Sequence, residues 1–159
     1  MSLAGVRIEL PTNQPIVLLR EAEGERFLPI WIGQAEAAAI ALALQGVVTP
    51  RPMTHDLLTD MLEKLEARVI RIAVTELREN TFYAVVTVAV DGSEIEIDSR
   101  PSDAIALAVR SDAPIYADDT VIEESAIEFE HEDVNEEEVV EEFKKFLDEV
   151  KPEDFSSDT

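Results

Sequence analysis

The sequence predicts a single α+β domain, with a mixed or antiparallel sheet and packed helices, followed by an acidic C-terminal helix. Apolar residues follow the two-residue period of strands in separate blocks, without regular alternation of strand and helix. Two turn signals, Glu79-Asn80 and Asp91-Gly92, join three of these blocks into hairpins. The composition becomes strongly acidic from about residue 130. We therefore place the domain at 1–128 and an acidic amphipathic helix with a frayed tail at 129–159.

The first part of the chain is predicted to begin with three strands and a helix. The predicted strands are 4–10, 16–20 and 27–32. Gly33 opens a helix rich in Ala and Leu, and Gly46 closes it. Because this helix has little polar surface, we expect it to be buried. Trp31 lies in an apolar strand, so we expect it in the core.

A second helix is predicted after Pro50 and Pro52, which prevent the first helix from continuing. Thr54 is expected as the N-cap of the segment HDLLTDMLEKLEA. The apolar residues of this segment have helical spacing and form one stripe with neighbours on its side. The stripe consists of Leu57, Met61 and Leu65, and the neighbours are Leu58 and Leu62.

The second part of the chain is predicted to form a meander, a helix and short elements. The predicted strands of the meander are 69–77, 81–90 and 93–98. RPSDAIALAVRSD is predicted to be a helix, PIYAD a short strand and DTVIEESAI a short helix. The apolar residues of NEEEVVEEFKKFLDEV keep helical spacing, which predicts the acidic amphipathic helix over 135–150.

The charge of the chain is strongly negative and unevenly distributed. The net charge is −22, and residues 118–159 hold 18 of the 35 acidic residues and three of the 13 basic ones. No basic face is visible, so binding to nucleic acid is disfavoured at low salt, and anionic membranes are repelled. Many acids with few lysines are also typical of halophilic proteins, because concentrated salt screens self-repulsion.

Several classes of protein are excluded by the composition and by missing motifs. The chain contains no cysteine, which excludes disulfides and thiolate metal sites. Its apolar runs are shorter than the roughly 18 to 20 residues that a membrane span needs, and its first residues do not have the pattern of a signal peptide. Phosphate-binding glycine loops, HExxH metal motifs and serine elbows do not occur. We therefore expect a cytoplasmic protein without a membrane partner.

Polar side chains are concentrated at three predicted helix starts. Glu36, Asp56 and Asp103 each lie in a first helical turn, where the positive end of the helix dipole favours a carboxylate. Arg51 and Arg100 lie close to two of these turns in the sequence. If the three helix starts meet in space, they form a pocket for a metal ion and a phosphate. If they do not meet, they are ordinary helix starts.

Two further residues extend the pocket hypothesis. Asp98 ends a strand five residues before Asp103, so the two carboxylates could converge on a hard cation. His55 is the only histidine in the predicted domain, and a histidine can bind a metal or move a proton near neutral pH. The alternative interpretation of His55 is a surface or capping group at a helix start.

Four segments occur in a fixed order between about residue 5 and residue 127. They are LPIWIGQAEAAAIALAL, RPMTHDLLTDML, the FYAVV strand and IDSRPSDAIALAVRSDAPIYA. Taken together, these segments resemble the bifunctional nuclease family, also known as the domain of unknown function 151. The resemblance implies one α+β domain, self-association into a dimer or larger homo-oligomer, and metal-assisted hydrolysis of DNA and RNA, the activity of plant members.

The motifs of the family correspond here to the polar residues already singled out. They are Glu36, Arg51, Thr54, His55, Asp56, Asp98, Arg100, Ser102 and Asp103. On this basis we predict a nuclease in which Asp98, Asp103 and Glu36 bind Mg²⁺ or Mn²⁺. His55 would orient or deprotonate water, and Arg51 and Arg100 would stabilise charge on the phosphate. Thr54, Asp56 and Ser102 are further candidates without an assigned role.

The alternative function is that of a non-enzymatic oligomeric scaffold or regulatory module. Some family members carry a further helical hairpin, similar to one in repair proteins, at the C-terminus. This chain carries the acidic segment there instead. Such a segment is suited to bind a basic protein partner, and it opposes contacts with phosphates.

Overall fold

The computed structural model describes residues 1–9 and 12–128, and it confirms the α+β class. The acidic helix predicted at 129–159 lies outside the described residues. Those residues form eight strands and four helices. In chain order they are β1 (Ser2–Glu9), β2 (Gln14–Arg20), β3 (Arg26–Trp31), α1 (Gln34–Leu44), α2 (Thr54–Lys64), β4 (Arg68–Arg78), β5 (Thr81–Val90), β6 (Ser93–Ser99), α3 (Pro101–Ser111), β7 (Ile115–Ala117), α4 (Asp119–Ser125) and β8 (Ile127–Glu128).

The strands are divided between two sheets of four strands. One sheet has the order β1-β2-β3-β8 and is antiparallel throughout. The other has the order β6-β5-β4-β7, in which β7 runs parallel to β4 and the remaining pairs are antiparallel. The predicted mixed and antiparallel pairing is therefore present, in two sheets where the sequence patterns predicted one. The last strand of each sheet is short and pairs with a strand that is distant in sequence.

The two predicted hairpin turns are present and have left-handed backbone conformations. The φ angles are 50° at Glu79 and 60° at Asn80 in the first turn, and 50° at Asp91 and 77° at Gly92 in the second. Two-residue turns of this kind require positive φ at both positions, because their twist must match that of the strands. The turn residues thus set the pairing of the strands next to each turn, and two irregularities in β4 then shift its register against β5.

A single apolar core joins both sheets to α1 and α3. In the first sheet, the buried cross-strand pairs Val17–Ile30 and Leu19–Leu28 lie on its inner face. Ile105 of α3 is fully buried in the same core. The second sheet contributes Val69, Ile72, Val74, Ala84, Val86 and Val88.

The prediction that Trp31 lies in the core is wrong. The side chain of Trp31 is 48% exposed, whereas Ile30 and Ile32 on either side of it are buried. Successive side chains of a strand point to opposite faces, so the alternation that buries the two isoleucines turns Trp31 outward.

Helices α1 and α3 begin directly after strands β3 and β6, and they pack against each other. Gly33 is the N-cap of α1, and Arg100 is the N-cap of α3, with Pro101 at its first helical position. Most of the buried residues of the two helices are alanines: Ala37, Ala38 and Ala41 in α1, and Ala104, Ala106 and Ala108 in α3. Within residues 1–9 and 12–128, no helix has the length and apolar character needed to cross a bilayer.

Helix α2 starts one residue earlier than predicted and leaves its apolar stripe exposed. Met53 is the N-cap and Thr54 the first helical residue, because the Asp56 carboxylate accepts a hydrogen bond from the Met53 backbone N–H at 3.0 Å. His55 is the buried residue of this helix. The stripe residues Leu57, Met61 and Leu65 are at least half exposed.

Candidate functional site

The starts of α1, α2 and α3 meet in the structure, and His55 and Asp103 form the closest link between two of them. The His55 Nε2 atom lies 2.8 Å from Asp103 Oδ1. His55 is 7% exposed, so its ring is held among packed side chains and has little freedom to rotate. The three predicted helix starts thus lie together in space, as the pocket hypothesis requires.

Arg100 connects the starts of α1 and α3. Its Nε atom donates to Asp103 Oδ2 at 2.8 Å, and its Nη2 atom donates to Asp103 Oδ1 and to Glu36 Oε1, each at 3.1 Å. Gly33 leaves space for this arrangement, because a Cβ atom at that position would clash with the Glu36 carboxylate. The Arg100 side chain is 66% exposed, so part of the guanidinium faces solvent.

Arg110, near the end of α3, was not among the predicted site residues. Its Nε atom donates to Asp56 Oδ1 at 2.7 Å, Nη1 to the Ala106 carbonyl at 3.0 Å, and Nη2 to the Ala39 carbonyl at 3.0 Å. A sequence signal exists, because Arg110 lies seven residues after Asp103 on an apolar helix, and residues seven apart share a helix face. The partner Asp56 is too distant in sequence for the pairing to be predicted.

The local environment changes the pKa values of the two central carboxylates. Burial acts to raise the pKa of Asp103, but hydrogen bonds from Arg100 and His55 outweigh it, and the pKa is lowered. The hydrogen bond from Arg110 lowers the pKa of Asp56 against an opposing effect of burial, and the Met53 N–H adds to the lowering. Both carboxylates are therefore ionised at neutral pH.

A family model, the bifunctional nuclease domain, matches residues 17–130. The chain belongs to this family. An uncharacterized protein of Mycobacterium tuberculosis strain CDC 1551 is 45% identical over 161 residues, which cover 98% of this chain and 96% of that protein.

Plant members of the bifunctional nuclease domain family are similar to this chain over a shorter range. Bifunctional nuclease 1 of Oryza sativa subsp. indica is 30% identical over 106 residues, which cover 65% of this chain and 32% of the rice protein. Bifunctional nuclease 2 of Arabidopsis thaliana is 30% identical over 112 residues, which cover 67% of this chain and 34% of that protein. The matched two thirds of the chain thus span about a third of each plant protein.

Asp98, one of the predicted metal ligands of this bifunctional nuclease domain, does not join the cluster. Asp98 pairs with Val85 across β6 and β5, whereas its neighbour Ile97 pairs with the buried Val86 on the core face. The pleat of the strand therefore directs the exposed Asp98 side chain to the face opposite α3. The predicted convergence of Asp98 and Asp103 is not seen among the described residues.

The remaining predicted residues make no side-chain hydrogen bond to the cluster within the described part of the chain. Arg51 is exposed on the loop before α2, and its backbone carbonyl accepts a hydrogen bond from the Thr49 hydroxyl at 2.6 Å. Thr54 is exposed at the first helical position of α2. Ser102 is buried in the first turn of α3, next to Asp103.

The described side chains do not fit a resident metal ion held by protein ligands alone. In residues 1–9 and 12–128, no group of three or more His, Cys, Asp or Glu side chains has the arrangement of a metal site. The Arg100 Nη2 atom lies between Glu36 Oε1 and Asp103 Oδ1, where it supplies the positive charge that these two carboxylates need. Arg100 thus stabilises Glu36 and Asp103, two of the carboxylates that we predicted from the sequence to bind a metal ion.

The lowered pKa of Asp103 predicts a specific loss of stability in acid. A carboxyl group whose pKa is lowered by folding stabilises the folded state above its unfolded pKa of about 3.9. That contribution is lost as the pH falls through the lower, folded-state pKa. We expect the free energy of unfolding to decrease more steeply below pH 4 in the wild type than in Asp103→Asn. Urea unfolding of both proteins between pH 5 and pH 2 measures this, and equal slopes would contradict the proposed ionisation of Asp103.

Proposed function

We propose that this chain is a nuclease that hydrolyses phosphodiester bonds of DNA or RNA at the cluster of three helix starts. The observation that carries the proposal is the contact of His55 with Asp103, on a carboxylate that also binds the exposed guanidinium of Arg100. An imidazole and a guanidinium that share one carboxylate are suited to activate water and to bind a phosphate, respectively. The similarity to plant proteins named bifunctional nucleases supports the same reaction class.

The ionised state of Asp103 determines which nitrogen of His55 can act as a base. An ionised carboxylate only accepts hydrogen bonds, so the Nε2 atom of His55 must carry the proton that it shares with Asp103. In the neutral imidazole the other nitrogen, Nδ1, then holds the free electron pair. We therefore assign proton acceptance to Nδ1 and orientation of the ring to Asp103.

The proposed reaction uses Arg100 to stabilise the charge that develops on the phosphate. The oxygen of a water molecule attacks phosphorus, its proton passes to His55 Nδ1, and the bond from phosphorus to the leaving ester oxygen breaks. The leaving oxygen takes a proton from solvent. Arg100 Nη1 makes no hydrogen bond to the described residues, so its N–H groups can donate to the phosphate oxygens. The guanidinium would thereby bind the phosphate and both carboxylates at once.

The site is less acidic than the chain as a whole. The carboxylates of Glu36, Asp56 and Asp103 are accompanied by the guanidinium groups of Arg100 and Arg110 in direct contact, and by Arg51 on the adjoining loop. Because the charges nearly cancel locally, a phosphate entering the site meets far less repulsion than the net charge of −22 indicates. Binding of nucleic acid is still expected to be weak at low salt.

The test is cleavage of end-labelled single-stranded and double-stranded DNA and RNA by the purified chain. Asp103→Asn is expected to remove cleavage, whereas Asp98→Asn, on the other face of the sheet, is expected to retain it. Cleavage by the wild type that persists in Asp103→Asn would identify a contaminant or another site. Absence of cleavage of all four substrates would contradict the proposal.

The same assay decides whether Mg²⁺ or Mn²⁺ takes part, as the sequence predicts. Mg²⁺ commonly binds one or two carboxylates together with substrate phosphates, so an ion that arrives with the substrate would replace Arg100 as the partner of Glu36, while Arg100 keeps its contact with Asp103. We expect EDTA to stop cleavage and either ion to restore it. Full activity in EDTA would overturn the expected metal dependence and leave the roles of His55 and Arg100 intact.

The alternative, a scaffold or regulatory module that binds a basic partner, is favoured by the concentration of acids in residues 118–159. Titration of the full chain with a lysine-rich peptide tests it, since binding that weakens steeply with salt is expected for such contacts.

We also propose that the chain forms a homo-oligomer through the exposed stripe of α2, because large exposed apolar patches mark protein interfaces.

A further inference from the structure

We propose that Arg110 is a positioning residue, which holds the start of α2 so that His55 stays in hydrogen-bond contact with Asp103. Arg110 makes no hydrogen bond to either residue, and it lies on the last turn of α3, two turns away from Asp103. The proposal rests on the proposed function for its effect on rate. The effect of Arg110 on the His55 ring can be measured even in a protein that cleaves no nucleic acid.

The first step of the argument is that Arg110 ties three helices together. Each of three guanidinium nitrogens meets a different acceptor: Asp56 in α2, the Ala39 carbonyl in α1 and the Ala106 carbonyl in α3. The Arg110 side chain is 9% exposed. A buried charge with all three acceptors in place is costly to displace, because displacement would leave part of the guanidinium without a hydrogen-bond acceptor.

The second step is that Asp56 passes this constraint to His55. One oxygen of Asp56 accepts from Arg110 Nε at 2.7 Å, and the other accepts from the backbone N–H of Met53 at 3.0 Å. The carboxylate therefore fixes the first turn of α2 at both sides of His55, which is the neighbour of Asp56 in the sequence. Without this constraint, the turn could shift relative to α3.

The third step concerns what a shift would do. The contact between His55 Nε2 and Asp103 Oδ1 is a single hydrogen bond of 2.8 Å between two helices, and no other side chain among the described residues bonds the His55 ring. Small displacements of a reacting group lower rates by as much as about a hundredfold. The distance between α2 and α3 at this point is therefore the quantity that Arg110 controls.

Two substitutions weaken the proposed constraint in different ways. Arg110→Lys keeps the charge, but its single nitrogen cannot meet acceptors in three directions as a guanidinium does. Asp56→Asn keeps the size of the side chain, but its one carbonyl oxygen can replace only one of the two accepting oxygens of Asp56. Arg26→Lys is the matched control, because Arg26 also binds a carboxylate, that of Glu21, and lies at the opposite end of β3 from α1.

The decisive measurement is nitrogen NMR of the full chain labelled at histidine, in a His131→Gln background that leaves His55 as the only histidine. At a pH where the ring is neutral, the wild type is expected to show one protonated and one unprotonated nitrogen, with the proton on Nε2. In Arg110→Lys and Asp56→Asn the two signals should move toward each other as both tautomers become populated. The Arg26→Lys control should match the wild type.

The rate gives a second measurement. In both variants kcat for nucleic acid cleavage is expected to fall by about tenfold to a hundredfold with KM unchanged. Unchanged His55 signals in both folded variants would overturn the positioning role, even if kcat falls. If the His55 signals change in the variants but the wild type cleaves no nucleic acid, the positioning role is supported and the proposed nuclease function is contradicted. Failure of the positioning role and failure of the proposed function therefore give different results. If Arg110→Lys does not fold, Asp56→Asn decides.

Discussion

Replacing His55 by glutamine is expected to lower kcat for nucleic acid cleavage by roughly 10²- to 10⁴-fold, the usual contribution of a general base. Glutamine can still donate a hydrogen bond to Asp103 through its amide, so the link between α2 and α3 is kept. It has no nitrogen that can accept the proton of the attacking water. The loss should therefore appear in kcat, while the urea midpoint changes little.

The control for this substitution is the second histidine of the chain. His131→Gln should retain the wild-type rate, since the matched family domain ends at residue 130. The pH profile adds a separate criterion: the fall in rate on the acid side should be present in the wild type and absent from the residual activity of His55→Gln. Activity within twofold of the wild type in His55→Gln would remove His55 from the mechanism.

The largest effect on stability is expected from Ile105→Ala, at about 2–5 kcal/mol of unfolding free energy. Ile105 of α3 is fully buried in the core that joins both sheets to α1 and α3. Truncation leaves a cavity that close-packed neighbours cannot fill. Urea unfolding followed by circular dichroism measures the loss, and a change below about 1 kcal/mol would show that the core can collapse around residue 105.

Leu57→Ala is the matched control, and it also tests the proposed self-association. The Leu57 side chain is 50% exposed, so its truncation should change the stability of a monomer by at most about 0.5 kcal/mol. If the stripe of α2 forms an oligomer interface, the effect should be larger and should grow with protein concentration. Sedimentation velocity of both proteins measures the oligomer size. A smaller oligomer in Leu57→Ala than in the wild type would support the interface, and a wild type that is monomeric at all concentrations would contradict it.

Local signals predicted the elements of the fold better than their arrangement. The hairpin turns at Glu79-Asn80 and Asp91-Gly92 were predictable because positive φ angles restrict which residues can occupy them. Pro101 at the first position of α3 is a similarly local signal. The division into two sheets was not predictable, because the pairings of β7 and β8 depend on packing between distant segments.

The same distinction applies to the site. His55, Asp103, Arg100 and Glu36 were predicted from helix starts, and the structure brings them together. We predicted that Asp98 lies next to Asp103 because the two residues are close in sequence, but this proximity does not say which face of a strand a side chain occupies. Its position is decided by the register of β6 against β5, which follows from the turn at 91–92.

Alanines make up most of the buried residues of α1 and α3, the two helices that pack against each other at the site. The separation of packed helices depends on the size of the side chains between them, and alanine permits a close approach. The distance from Glu36 on α1 to Arg100 at the start of α3 therefore depends in part on small buried side chains that take no part in the hydrogen bonds of the site. The side chains at these alanine positions can be enlarged by substitution, one carbon atom at a time. Enlarging Ala104 or Ala41, both almost fully buried, would push packed neighbours apart at a typical cost of about 1–3 kcal/mol, and it would change the distance between Glu36 and Arg100 without replacing either residue.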